Sequence, residues 1–237
     1  MRDDFKKRLQ QIGEQLDPAF RDQGQHDIDA LVQAGAQSFG DLLVIVQARE
    51  TSDDLASSAA WLLGRLGSKR AASALLAALT AAASARRQAA AHALGELDVK
   101  AAVQPLIVTM RSDASDDVRQ AATYALGLIG AKRALSPLIA VLADQTNSPG
   151  LRGMAAEALS DVRDRRAVPA LLGALGDVSP EVRFWAAFAL GELGDPQALP
   201  ELERIAATDR APVAGRGTVR KEAEAAIQRI REQDSSD

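Results

Sequence analysis

The sequence predicts an all-α fold: a right-handed α-solenoid of about six two-helix repeats behind an N-terminal helical cap. Three observations lead there. Apolar residues, 47% of the 237-residue chain, are mostly Ala and Leu, the strongest helix formers, while aromatics make up only 3%. A nine-residue pattern recurs without gaps as AAWLLGRLG (59–67), AAHALGELD (90–98), ATYALGLIG (122–130), AAEALSDVR (155–163) and AAFALGELG (186–194). A second series, Leu75, Leu106, Leu138, Leu171 and Leu202, advances by the same 31, 32, 33 and 31 residues. Two series keeping step mark a tandem supersecondary unit, and such units close their core only by stacking on neighbours.

Residues 1–36 stand outside the repeat. Phe5, Leu9, Ile12 and Leu16 form one amphipathic stripe and HDIDALVQAG (26–35) reads as a short second helix, together an N-terminal cap. Residues 37–232 hold the repeats, with units near 38–67, 70–98, 101–131, 134–164, 167–195 and 198–232. In each unit a first helix carries a stripe such as Val103, Leu106, Ile107 and Met110, and a second carries one such as Val118, Ala122, Ala125 and Ile129. Pro105 and Pro137 fall in the opening turn of first helices, and Pro180 sits at a first helical position, where a missing N–H is tolerated. Polar turns such as SDASDD and GDVSPE separate the two helices and supply Asp and Ser for caps. The last unit is charged on the side away from its neighbours, as a terminal cap requires. Residues 233–237 read as a frayed, disordered tail.

The best copy, AVPALLGALGDVSPEVRFWAAFALGELGD (167–195), resembles a HEAT repeat of the HEAT-like, phycobilisome-lyase type. The resemblance covers about 38–232 and implies a solenoid whose second helices line the concave side. It leaves function open, since the scaffold hosts many. Copy four departs from the pattern: Ser160, Asp161 and Arg163 replace the usual glycines and an apolar residue, which implies a kink or an altered surface there.

Several function classes are excluded by composition. The chain has no cysteine, so disulfides, thiolate metal sites and a cysteine nucleophile are absent. The charged start MRDDFKKRLQ lacks a secretory h-region, and no apolar run has membrane-spanning length, so a soluble cytoplasmic protein is expected. Only His26 and His92 exist, without the repeated His-Glu pairs of iron-dependent HEAT hydroxylases, so neither a metal nor another cofactor is expected. No Ser–His–acid set assembles, and Glu157 with Asp161 reads as an acidic patch rather than a catalytic pair, so no catalytic residue is assigned. The segment DRAPVAGRGTVR (209–220) reads as a flexible loop. Nucleic acid is an unsuitable partner: the net charge is −4, and Glu96, Glu157, Asp161, Glu192 and Glu222 outweigh Arg65, Lys221 and Arg229 on the second helices.

Two alignments carry the functional reading. The residue after the Val118 position is Arg87, Arg119, Arg152, Arg183 and Arg220 in successive copies, expected to pair with turn acids such as Asp113 or Asp177. The positions equivalent to 120, 121, 124 and 128 fall off the core stripe. They hold five of the eight aromatics: Trp61, Tyr124, Phe184, Trp185 and Phe188. Trp185 either fills space between neighbouring second helices or anchors a partner. The leading expectation is a non-enzymatic scaffold binding a protein or peptide, of basic character, through Trp61, His92, Tyr124, Glu157, Phe184, Trp185, Phe188 and Glu192. The alternative is a bilin lyase-like subunit or a chaperone, implied by the family resemblance.

Overall fold

The computed structural model describes residues 38–48 and 51–234. The expected N-terminal cap, with His26, lies outside the described residues, as do 235–237; Gln233 and Asp234 continue the last helix.

Six helix pairs account for the described chain. They are α1 (Phe39–Gln47) with α2 (Asp53–Arg65), α3 (Ala72–Ala78) with α4 (Ser84–Glu96), and α5 (Val103–Ser112) with α6 (Asp116–Leu128). Then come α7 (Leu135–Ala143) with α8 (Pro149–Val162), α9 (Val168–Ala174) with α10 (Pro180–Leu193), and α11 (Leu199–Thr208) with α12 (Val219–Asp234). A one-turn 3-10 helix leads into each first helix from α3 onward, at Lys69–Ala71, Lys100–Ala102, Lys132–Ala134, Arg165–Ala167 and Pro196–Ala198. Pro149 and Pro180 open α8 and α10, where no intrahelical donor is lost.

The corners are built alike. Asp113, Asp144, Asp177 and Asp209 each accept, through Oδ1, the backbone N–H two residues on, at 2.9, 2.9, 2.8 and 3.0 Å. These Asx-turns reverse the chain after the first helix of their pairs. Ser52 and Ser148 cap α2 and α8 by accepting from Leu55 and Leu151 N–H.

Each of the first five second helices ends on a left-handed residue at one repeat position: Gly67, Asp98, Gly130, Arg163 and Gly194, with φ of 67°, 48°, 61°, 51° and 63°. The break in pattern at copy four therefore leaves this backbone turn intact. Arg163 adopts the glycine conformation, and Ser160 is buried with its hydroxyl donating to Glu157 O at 2.7 Å.

The chain divides into two compact units, the first reaching Ala125 and the second beginning at Leu126. In the first, α1 packs on α2 and α3, α3 on α4, and α2 directly on α4. In the second, α7, α9 and α11 each pack on the second helix of their own pair, while α8 packs on α10 and α10 on α12. The cores are aliphatic: Leu62, Leu63, Leu75, Leu94 and Leu106 in the first unit, and Leu126, Leu138, Leu159, Leu171, Leu190 and Leu202 in the second, are all fully buried. Glycine lets second helices approach closely. A Cβ on Gly64 would lie 3.1 Å from Ala93 Cα, and one on Gly191 would lie 2.8 Å from Ala226 Cα.

Candidate functional site

Burial sorts the four off-core positions of the second helices into two kinds. The position of residue 124 is half-buried in every repeat: Trp61, His92 and Tyr124 in the first unit, then Glu157, Phe188 and Ala225 in the second. The position of residue 128 is exposed at Arg65, Glu96, Leu128, Asp161 and Glu192. By contrast, the position of residue 121 is buried at Ser58, Ala121 and Trp185, and that of 120 is buried at Gly153 and Phe184.

Phe184, expected as an exposed anchor, is thus buried at 6% relative exposure, and Trp185, at 7%, takes the space-filling role that was the alternative to an anchor. The reason is angular. At 100° per residue, the 121 position held by Trp185 lies about 60° from Val118, on the flank that here faces the preceding second helix, α8. Opposite Trp185 stands Gly153 of α8, where an added Cβ would come within 2.8 Å of the indole Cδ1. The glycine makes room and the indole fills it. Gly153, at the off-core 120 position of α8 one repeat before a tryptophan at the 121 position, was the sequence signal for this pairing.

Around Trp185 the second unit assembles a polar-aromatic cluster. Phe184 and Phe188 meet the indole edge to face, both with centroids 5.6 Å apart and interplanar angles of 89° and 87°. The Arg216 guanidinium lies over the indole, 4.2 Å from its centroid, and Arg229 lies 5.2 Å from the Phe188 ring. Arg229 also donates to Glu222 at 2.5 Å and stands 3.5 Å from Glu192. Glu192 therefore has a cation of its own chain beside it.

Arg216 arrives on an element the sequence reading took for a flexible loop. The stretch forms a β-hairpin, β1 (Pro212–Val213) and β2 (Gly217–Thr218), antiparallel, closed by Arg216 N–H donating to Val213 O at 3.0 Å. Gly215 and Gly217, at φ 70° and 111°, supply the conformations that close so tight a turn. Thr218 then caps α12, its hydroxyl accepting from Lys221 N–H at 3.3 Å.

The carboxylates of α8 face this cluster. Burial pushes the Glu157 carboxyl above the usual range; Arg216 pulls it back in part and Asp161 pushes it further up. Asp161 is raised too, first by burial, with Arg163 opposing and Glu192 adding to the rise. Both carboxyls are thus raised chiefly by burial, each with one arginine opposing and one carboxylate adding to the rise.

In the first unit, His92 and Tyr124 meet with centroids 5.5 Å apart at 57°, and Trp61 is half-buried on α2. Three of the five aligned arginines pair with turn acids as expected, whereas Arg119 donates to Met110 O at 2.9 Å and Arg220 pairs with Glu224 of its own helix at 2.8 Å. Arg87 forks onto Asp113 at 2.7 and 2.8 Å, Arg152 onto Asp177 at 3.1 and 2.8 Å, and Arg183 Nε onto Asp209 at 2.6 Å. Arg86, at the core position held by Val118 two helices on, was not singled out. It is buried and reaches back to Ala48 O at 2.9 Å, to Thr51 O, and to Asp53. Among the described residues no group of three or more His, Cys, Asp or Glu is placed to hold a metal ion. No described helix is long and apolar enough to cross a membrane.

The model of the HEAT-repeat family matches residues 41–127, 75–152, 103–177 and 135–228. The chain is a HEAT-repeat protein. No curated protein matches it. Among solved structures, this HEAT-repeat chain is similar to a designed armadillo repeat protein in complex with the peptide (KR)4, at 23% identity over 80% of this chain and 99% of that one, with a TM-score of 0.56. It is also similar to the complex of CpcE and CpcF of phycocyanin lyase from a Nostoc species, at 19% identity over 82% and 83%, TM-score 0.50. An engineered protein matches at 20% identity over 81% and 99%, TM-score 0.55. At these identities the likeness speaks to the solenoid fold, and function must come from the site.

Proposed function

We propose that this HEAT-repeat protein is a binding scaffold whose second-helix face docks a basic protein or peptide segment. The observation that carries the reading is geometric: half-buried Glu157 and exposed Asp161 lie one turn apart on α8, on a face that also presents half-buried Phe188, and both carboxyls are raised above the ordinary range. Carboxylates kept at a cost to stability are relieved by an incoming cation, and a half-buried ring beside them supplies apolar contact area. In the first unit, half-buried Trp61 and the His92–Tyr124 pair form a separate patch at the equivalent repeat positions. Phe184 and Trp185 act from beneath, holding the face in shape. Glu192, beside Arg229, belongs to the rim. The designed armadillo relative is in complex with (KR)4, a segment of the chemistry proposed here. The edge-to-face rings around Trp185 leave no parallel slot between them, which favours a peptide over a flat bilin.

The test is isothermal titration of an alternating Lys-Arg octapeptide and an alternating Glu-Ser control. The wild type is expected to bind the basic peptide alone, with an affinity that falls as salt is raised. The E157Q/D161N variant should bind it at least roughly tenfold more weakly, each charge-assisted contact being worth about 1.5–3 kcal/mol. Equal affinity for both proteins, with helical circular dichroism intact, would remove the proposal.

A further inference from the structure

One cation on this face behaves as a stand-in for a ligand. Arg216 sits at the tip of the Pro212–Thr218 hairpin and is itself exposed, yet its guanidinium covers the indole of a buried tryptophan at 4.2 Å. It is also the opposing charge that acts on Glu157. The strands of the hairpin pack on α10 and α12, while the tip is open: a Cβ on Gly215 would meet nothing within 4 Å. The hairpin ladder is two residues long on each strand, with Val219 N–H donating to Ala211 O at its base, at 3.1 Å. A two-stranded ribbon of this size has little stability of its own, so the tip can lift without disturbing α12.

We propose that Arg216 is the internal occupant of a guanidinium site formed by the Trp185 indole and the Glu157 carboxylate, and that an arginine side chain of the docking segment displaces it. The inference rests on the reading of this face as a dock for basic segments and names arginine as the residue selected. A planar guanidinium stacks on an indole while its edge donates to a carboxylate; a lysine ammonium is a point charge without a face to stack. The hairpin is thereby a strap that weakens binding until a better-placed arginine competes for the same ring. If Arg216 fills the site in all but about a tenth of molecules, removing it tightens arginine binding roughly tenfold.

The experiment reads affinity by heat in the full chain with Trp61 retained, and adds Trp61→Phe only in a parallel set for emission, where it leaves Trp185 as the only tryptophan. Three proteins are compared: this parent, the same chain with R216A, and the same chain with R210A, which removes an equal charge from the exposed approach to the hairpin. Octa-arginine and octa-lysine are titrated into each at fixed salt, following tryptophan emission and heat. The expected results are a red-shifted free emission for R216A, octa-arginine affinity about tenfold above the parent, a smaller gain for octa-lysine, and near-parent behaviour for R210A. If R216A binds octa-arginine no tighter than the parent, or no tighter than R210A, the strap is overturned. Equal binding by all three overturns the strap alone and leaves the docking face standing. Binding by none of them removes both.

Discussion

Replacing Asp177 by Ala strands the Arg152 guanidinium in the second unit, where the two side chains are 3% and 2% exposed. Arg152 donates through Nε and Nη2 to both oxygens of Asp177 and through Nη1 to Asn147 O at 2.5 Å. Asp177 in turn accepts from Ser179 N–H at 2.8 Å and from Gln145 at 3.1 Å. Losing the aspartate leaves a buried cation uncompensated and opens the Asx-turn, a loss of about 3–5 kcal/mol. With about 2–4 °C per kcal/mol for a chain of this size, the melting temperature falls by roughly 6–20 °C. The same substitution at Asp209, whose pair with Arg183 is 12% and 17% exposed, removes less, about 1–3 kcal/mol. Urea unfolding followed by far-UV circular dichroism measures both. In the R152A/D177A double variant no charge is orphaned, so its loss is smaller than the sum of the single losses by about 2 kcal/mol or more. A D177A loss below about 1 kcal/mol, or strict additivity in the cycle, would refute the claim that these forks hold the repeat corners.

The remaining expectations concern backbone and charge. Gly191→Ala forces a methyl to 2.8 Å from Ala226 Cα and destabilises by about 1–2 kcal/mol net of its gain in helix propensity. Gly173→Ala meets nothing within 4 Å and stabilises by up to about 1 kcal/mol, so one chemical change has opposite signs at the two sites. Arg163→Gly relieves a left-handed residue at φ 51° and stabilises by about 0.5–1 kcal/mol, seen as a higher urea midpoint. Asp98→Gly gains less, because Asp98 pairs with Lys100 at 2.6 Å and aspartate tolerates that conformation. Two opposed pH effects follow from the carboxylates. Asp113 is depressed chiefly by its bond from Arg87; at Asp177 and Asp209, burial pushes upward but is outweighed by hydrogen bonds from Arg152 and Arg183 with their companions. Their stabilisation is present above about pH 4 and is lost as pH falls through the lowered folded-state values. Glu157 is raised, so its penalty grows as pH rises from about 4 through the folded-state value. Glu157→Gln should therefore be more stable than wild type at neutral pH and equal to it near pH 3, as acid and thermal melts will show.

How much of this was legible depends on whether a residue's partner repeats with it. The helix pairs, the opening prolines and the arginine forks were readable because each recurs at a fixed step, so Arg87 and Arg152 pointed to Asp113 and Asp177. The half-buried position holding Trp61, His92, Tyr124, Glu157 and Phe188 was readable for the same reason. Trp185 was left between two readings, space-filling and anchor, because its burial depends on one neighbour, Gly153, that departs from the repeat. Arg216 was not readable: the hairpin is an insertion in the last pair with no counterpart in earlier copies, so no alignment indicates where its tip lands. Copy four shows the converse. Arg163 broke the sequence pattern, yet the turn kept its left-handed geometry, since stacked neighbours dictate the backbone there more strongly than residue type does.

Hydrogen–deuterium exchange of the full chain, alone and saturated with the alternating Lys-Arg octapeptide, tests the central claim most directly. Added protection confined to α8, α10 and the 211–218 hairpin, with the first helices α7, α9 and α11 unchanged, is the result this account predicts. Protection centred on the first helices, or none at all under saturating peptide, would contradict it.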